Sequence, residues 1–468
     1  MAAYLLFEVM VMLLSRLNDV VWSPWLLGLF LAAGLYYSLR TGFFQLFRIP
    51  LWLRTTFGAM LRRRGRGNGR GISQFQALAT ALASTIGTGS IAGVATAIWF
   101  GGPGAVFWMW VSALLGMMTG CAEKLLSVRY RRADPAGWLG GPMYYIRDGL
   151  KSPLLAGWFA LACLPATLTG GDMVQSSSIA AALQATFGWD RLAVGAAVAV
   201  LTGLVMVGGI GRIARVSSGL VPAMALLYLG GGAAVLAARA DQIPEAMALI
   251  FCSALRPEAA VGGGMGYTLA AALRYGVARG VFTNEAGLGT SAMAHAAAEV
   301  DCPARQGMWG IVEVCVSTLL VCTSTALVIL VSGVYGPADA LVRGALGAVP
   351  PDRLGAPLTA AAFSSVLGPW GGAVVSLSLL LFAFSSILGW SWYGEQSILY
   401  LTGSRRLVPA YRLVFLSCVV LGSVWEGEAV WELVDLCNAL MAIPNLTALL
   451  LLSPQVLREL RDWERTGG

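Results

Sequence analysis

The longest stretches of this chain that lack charge determine which solvent it can fold in. Residues 192 to 209 and 217 to 238 carry no charged side chain, and 307 to 332 and 372 to 401 carry one each, Glu313 and Glu395. A bilayer core about 30 Å thick needs roughly 20 mostly apolar residues per spanning helix, and these runs meet that length. Of 468 residues, 57% are hydrophobic and only 12% charged, against roughly 25% charged in a soluble globular domain. Water is therefore not the main solvent. The apolar runs are continuous rather than alternating, which argues against a membrane barrel.

The expected architecture is an all-α integral membrane protein of about eleven transmembrane helices. The spans are read at Trp25 to Phe43, Gln74 to Phe100, Ala105 to Leu126, 154 to 186, 192 to 209, 217 to 238, 266 to 299, 307 to 332, 372 to 401, 410 to 425 and 430 to 452. Gly101-Gly102-Pro103-Gly104 makes a sharp turn, and 133 to 151 reads as an interfacial loop. The first 22 residues, with Glu8 in an apolar stretch and no basic start, read as an interfacial or packed leader helix rather than a cleaved signal.

Charge placement orients this array. Arg62, Arg63, Arg64, Arg66 and Arg70 form a Gly-rich basic run between two apolar segments, so it reads as a cytoplasmic loop and not as a nucleic-acid site. Successive crossings then put Arg129 to Arg132, Arg212 with Arg215, Arg305, Arg405 with Arg406, and Arg458 with Arg461 on the same side, with the N-terminus outside and the C-terminus inside. The opposite loops hold scattered Arg191, Arg239, Arg256, Arg343 and Arg353. Eight separated cysteines with no CxxC pair read as packing residues, and the single His295 offers no metal set.

Two spans contain residues that helices in lipid avoid. One reads ALASTIGTGSIAGVATAIWFGG, with Gly87, Gly89 and Gly93; the other reads ALRYGVARGVFTNEAGLGTSAMAHAAAE, with Gly280, Gly287 and Gly289 beside Asn284 and Glu285. Glycine packing alone would explain the first, whereas ionisable residues at membrane depth face a cavity or a partner. The two interruptions open two successive sets of five spans, 74 to 238 and 266 to 452, the pattern of an inverted-repeat transporter with its site at the breaks. Unwound backbone frees N–H groups that favour a carboxylate and carbonyls that favour a cation or ammonium group. A zwitterion fits such a site. Residues 1 to 70 are then a leader, first span and basic loop, 71 to 457 the transporter core, and 458 to 468 a short cytoplasmic tail.

The blocks GTGSIAGVATAI, GGPGAVFWMW, GGPMYYI, GGDMVQSSSIA, RGVFTNEAGLGTSAMAHAAA, RQGMWGIVEV and FAFSSILGWSWYGEQ resemble, in order, motifs of the alanine or glycine:cation symporters, within the amino acid-polyamine-cation superfamily. The resemblance implies a five-plus-five inverted-repeat fold with an extra N-terminal span, and Na⁺- or H⁺-coupled uptake of small neutral amino acids across a bacterial inner membrane. It further implies that Thr85, Gly87, Thr88 and Gly89 form the unwound part of the first core helix, touching substrate carboxylate and cation. Gln175 faces the substrate from the third, and Phe282, Thr283 and Asn284 line the break in the sixth. Ser385, Ser386 and Trp390 come from the eighth, the serines with Thr85 suiting sodium and Ser386 and the indole also meeting substrate.

The chain departs from that family at two places. Asn is usual where this chain has Ser90, and an acid where it has Ser317, so the sodium site built on those positions is expected to be weak or absent. Ser and Thr can also bond their own helix carbonyls, and Trp390 could belong to an interfacial belt. Arg274, Arg279 and Glu285 are read as an internal pair holding the second break, or as a gate. A channel of the same topology is the main alternative, though polar residues concentrated at two breaks do not make a continuous pore. No catalytic constellation or phosphate-binding loop is evident.

Overall fold

The computed structural model describes residues 2–58, 71–135, 137–255, 269–335, 355–425 and 428–466. The basic run at Arg62 to Arg70, and Arg256, Arg343 and Arg353, expected in the opposite loops, lie outside the described residues. Helices dominate, as buried backbone in lipid requires. Among the described residues seven helices are long and apolar enough to cross a bilayer, or up to nine if two bent pairs each count as one span. The expected eleven is thus supported only in part. The helix Arg191–Met206 has 16 residues, about 24 Å at 1.5 Å per residue, and Leu269–Asn284 has 16 and carries two arginines.

Helices α1 (Ala2–Val21) and α2 (Pro24–Arg40) are the first bent pair, at 44°. The leader packs rather than lying free: Asn18 Nδ2 donates to the Glu432 carbonyl at 2.7 Å, and Trp22 Nε1 to the Asp435 carbonyl at 2.8 Å. The second pair is α3 (Gln74–Thr85) and the helix that begins with the wide turn Gly89–Gly93 and continues as α4 (Val94–Gly101), bent by 53° at residues 86–88. Ser73 starts α3 through a reciprocal cap with Gln76, which satisfies two backbone donors at once. Gly102, at φ 75°, then turns the chain sharply into α5 (Gly104–Arg129).

Beyond α5 the expected interfacial loop is more ordered than its polar sequence suggested. A short hairpin pairs β1 (Arg132–Asp134) with β2 (Gly137–Leu139), and α6 (Pro142–Gly149) buries Met143, Tyr145 and Ile146. Burial would raise the Asp148 carboxyl, but hydrogen bonds from the Arg147 and Arg132 guanidiniums hold it below the ordinary carboxylate range. The next span runs through α7 (Pro153–Leu168), the wide turn Thr169–Met173 and α8 (Val174–Phe187), followed by α9 (Arg191–Met206), α10 (Gly209–Ala238) and α11 (Ile243–Leu255).

The second interrupted segment is α12 (Leu269–Asn284), a non-helical stretch, and α13 (Ala292–Ala296). Glu285, Gly287 and Gly289 have φ of 54°, 98° and 83°, a left-handed region costly for a residue with a Cβ. Then come α14 (Pro303–Val314), a wide turn Cys315–Cys322, α15 (Thr323–Val331), α16 (Ala356–Leu367), α17 (Pro369–Thr402), α18 (Val408–Val424), α19 (Glu428–Leu451) and the amphipathic α20 (Ser453–Arg465).

Helix α5 is the packing axis around which the second break is built. A Cβ on Gly310 of α14 would stand 2.5 Å from the Gly120 carbonyl, and one on Gly276 of α12 would stand 2.4 Å from that of Ala105. Such contacts exist because small residues let helix backbones approach in a membrane. Arg131 fixes the far end of the break, donating to the carbonyls of Ala296, Ala298 and Val300 at 3.2, 2.5 and 2.9 Å. One carboxyl is left alone: Asp172 is fully buried, and neither oxygen has a partner among the described residues.

Gly310→Val is expected to lower accumulation in the membrane and the melting temperature in detergent, since overpacking costs about 1 to 3 kcal/mol. Gly219→Val, at an exposed position with nothing within 4 Å of an added Cβ, is expected to leave both unchanged. Asp172→Asn keeps the shape and removes an ionisable buried group, so it is expected to accumulate at or above the wild-type level; poorer folding on thermal denaturation would contradict this.

Candidate functional site

The two interrupted helices meet. A Cβ on Gly87 would lie 2.5 Å from Ser386 Oγ and 3.0 Å from Gln175 Oε1, while one on Gly89 would lie 2.9 Å from the Phe282 ring and 3.1 Å from Thr283 Oγ1. The first break therefore touches α17 and α8 through one glycine and the second interrupted helix through the next. Gly171, in the wide turn before α8, is pressed against Trp390 in the same way, at 2.4 Å.

A cavity lies at this convergence, walled by Thr85, Gly87, Gly89, Gln175, Phe282 and Trp390, and also by Ser84, Gly170, Glu285, Leu288, Val434 and Asn438. The space open to the centre of a water-sized sphere is about 20 Å³, enough for a water molecule or two. This is a closed form of the site. Trp390 is 7% exposed and stacks edge-on with Tyr393 at 5.6 Å, so it is a wall of the cavity and not part of an interfacial belt.

The remaining expected residues divide into two groups. Thr88 N–H donates to Gln175 Oε1 at 3.3 Å, and its own hydroxyl has no partner among the described residues. Ser385 and Ser386 both donate to the Ala83 carbonyl, at 3.1 and 3.0 Å, and Ser386 also reaches the Ser84 carbonyl at 3.2 Å. Ser386 thus bonds across to the end of α3, whereas Ser385 also keeps a local bond, donating to the Phe382 carbonyl one turn back at 2.8 Å, as helical serines do. Thr85 is not with them, since its hydroxyl turns to the Leu82 carbonyl at 3.4 Å. Thr283 donates to the Arg279 carbonyl at 2.9 Å, and Asn284 turns from the cavity to Thr318 at 3.3 Å and the Ala286 N–H at 3.0 Å. Asn284 braces the break and is not among the residues of the cavity wall.

Ser90 and Ser317 are both fully buried. Ser90 Oγ has no partner among the described residues, and Ser317 Oγ bonds the Val314 carbonyl at 3.4 Å. No carboxylate stands at either position.

The expected pairing of Arg274 or Arg279 with Glu285 does not form. Arg274 bonds Asp19 at 3.0 Å, and Arg279 lies 3.8 Å from Asp435 and over the rings of Phe282 and Trp431. The two arginines lie on α12 before the break, whereas Glu285 is the first residue of the break itself and stands beside a buried charged group that the sequence reading did not assemble. Lys124 lies 3.4 Å from Glu123 and 3.3 Å from Glu313, and His295 Nε2 lies 3.1 Å from Glu313. All four side chains are completely buried. Glu123 Oε1 accepts the Gly287 N–H at 2.8 Å and the Asn445 amide at 2.7 Å, and that amide also reaches the Gly287 carbonyl at 2.8 Å. The backbone groups freed at the second break are thus satisfied by side chains of α5 and α19. An acid at Glu285 and one at Glu313 inside apolar runs were the available signals.

Comparison with known proteins agrees with this architecture. The model of the sodium:alanine symporter family matches residues 7–467. A sodium/alanine symporter of Methanococcus maripaludis is 41% identical over 456 residues, covering 96% of both chains. A probable sodium/glutamine symporter of Bacillus subtilis is 36% identical, covering 96% of this chain and 89% of its own. Among solved structures, a mutant of the Eremococcus coleocola manganese transporter superposes with a TM-score of 0.51 at 17% identity, over 81% of this chain and 79% of its own, a likeness of fold alone. With a family match over nearly its whole length and relatives of this identity, the chain belongs to the sodium:alanine symporter family.

Proposed function

We propose that this protein is a secondary active symporter that imports a small neutral amino acid, such as alanine or glycine, together with Na⁺ by alternating access. The observation that carries the reading is the meeting of both helix breaks at one closed cavity. The family and the printed names of its relatives, sodium/alanine and sodium/glutamine symporters, support amino acid and Na⁺ as the transported pair.

In this reading the substrate carboxylate faces the N–H groups freed around Gly87, Thr88 and Gly89, where a side chain would close the gap, and Gln175 orients it. Phe282 and Trp390 limit side-chain length, and Thr283 and Asn284 hold the second break in place. Ser386 stands between substrate and cation. The hydroxyls of Ser385 and Ser386 and the carbonyls of Ala83 and Ser84 form an oxygen-only set, suited to a hard cation such as Na⁺. Thr85 would join that set by turning its hydroxyl from Leu82. A second sodium site at Ser90 and Ser317 lacks a carboxylate, so one Na⁺ is expected to accompany each substrate.

The moving core spans residues 71 to 457, with 74 to 238 and 266 to 452 as its two inverted halves, in a bacterial inner membrane with the N-terminus outside. The rocking of a four-helix bundle against a scaffold would open the cavity alternately to each face. A channel is disfavoured by the small closed cavity.

In proteoliposomes, an inward Na⁺ gradient is expected to drive saturable alanine or glycine uptake with a hyperbolic Na⁺ dependence. Sigmoidal dependence with two ions per substrate would contradict the single-site reading, and uptake indifferent to both Na⁺ and H⁺ gradients would contradict symport. Gly87→Ala should reduce uptake about tenfold or more, because overpacking of about 1 to 3 kcal/mol falls directly on the site. Gly93→Ala, one turn away with nothing within 4 Å of the added methyl, should transport normally.

A further inference from the structure

The symport reading makes no use of the buried charged group beside the second break, yet its charge count is unusual. Glu123, Glu313 and Glu285 are three carboxyls within electrostatic reach of one ammonium, Lys124, and the imidazole of His295 adjoins Glu313. Ordinary protonation at neutral pH would set three negative charges against one positive, leaving two unbalanced charges away from water. Uncompensated charge in such a place is strongly unfavourable, and ionisable groups at membrane depth are functional candidates by default.

The hydrogen bonds show where the balance is made. Lys124 is shared between Glu123 and Glu313, and Glu123 has two further neutral donors in the Gly287 N–H and the Asn445 amide. Glu313 adds His295. Glu285 has no ion-pair partner among the described residues: the Thr290 hydroxyl bonds it, and it lines the cavity. The imidazole can take either form, because Gln306 Nε2 meets Nδ1 at 2.6 Å while Gln306 Oε1 has no partner. Turning that amide over would present its oxygen to a protonated Nδ1.

Other titratable groups facing this cluster bring no further charge under ordinary conditions. They are Tyr37 of α2, Cys121 of α5, Tyr145 of α6, Cys163 of α7 and Tyr393 of α17. The arginines of α12 and α5 are engaged elsewhere, Arg274 with Asp19, Arg279 beside Asp435, Arg129 with Glu459 and Arg131 with backbone carbonyls.

We propose that Glu285, together with the His295–Glu313 pair, is a proton-binding site of this protein. In the closed form Glu285 carries one proton and the imidazole–carboxylate pair holds a second. When the second break moves and water enters the cavity, the Glu285 proton passes to that water and leaves a carboxylate. The site itself follows from the charge count; its part in the cycle rests on the transport reading. The Gly287 N–H bond to Glu123 ties the cluster to the break, so its ionisation and the helix geometry change together. Closure around substrate takes up the proton, and substrate affinity therefore strengthens as pH falls.

The test uses the full-length protein in nanodiscs, with Asp172→Asn as background to remove that separate buried carboxyl. Infrared spectroscopy should show a protonated carboxyl band at neutral pH that disappears with Glu285→Gln. Equilibrium binding of alanine in saturating Na⁺ should strengthen by up to about tenfold per pH unit over part of the range from about pH 8 to about pH 6, with proton uptake seen by a dye in weak buffer. Glu285→Gln, which fixes the neutral form, should bind without that slope. A band unaffected by Glu285→Gln, or wild-type affinity that is flat with pH and accompanied by no proton uptake, would overturn the proposal. If alanine does not bind at all, the substrate reading fails, and the infrared band still decides the proton site.

Discussion

Everything at the centre of this molecule depends on how unwound backbone is satisfied away from water. A helix in lipid meets its own hydrogen-bonding needs, and a broken one does not. Here the second break survives because Glu123 receives the Gly287 N–H and Asn445 spans the Gly287 carbonyl and that same carboxylate. Arg131 takes up three carbonyls from Ala296, the last residue of α13, onward. These partners come from α5, α19 and the segment that follows α5, so the break is a property of the assembly and not of its own sequence.

The first break is handled differently. Ala83 and Ser84 offer their carbonyls to the serines of α17, and Thr88 gives its N–H to Gln175 of α8. Glycine at 87 lets Ser386 and Gln175 come close enough to do so, and glycine at 89 does the same for Phe282 and Thr283. The same closeness that satisfies the backbone leaves a cavity only large enough for a water molecule or two in this closed form. One geometric fact, glycine without a Cβ, therefore bears on both the stability of the break and the size of what can bind beside it.

Much of this was legible in the sequence, for reasons that can be named. Long charge-free runs identify membrane helices, since lipid permits few alternatives, and glycines beside Asn284 and Glu285 mark breaks because both are costly in a span. The residues facing the cavity from intact helices were harder. Val434 and Asn438 sit in α19 with no local irregularity, and only the tertiary packing brings them to the site. The expected eleven spans are met in part: among the described residues seven to nine pass a test of length and composition, while Arg191–Met206 is short and Leu269–Asn284 carries two arginines. The partner of Glu285 was misjudged because sequence proximity favoured Arg279, whereas Arg279 lies on α12 before the break and Glu285, its first residue, stands beside the buried charged group.

In the proposed function an amino acid and a cation occupy the space between the two breaks. A cryo-electron microscopy structure of the protein with alanine and Na⁺ would show that space filled: amino-acid density is expected between Gly87, Gln175 and Phe282, with its carboxylate toward the first break, and cation density bounded by Ser385, Ser386 and the Ala83 carbonyl. Well-resolved breaks with the amino acid bound elsewhere, or with that space filled by side chains in the substrate-bound protein, would contradict it.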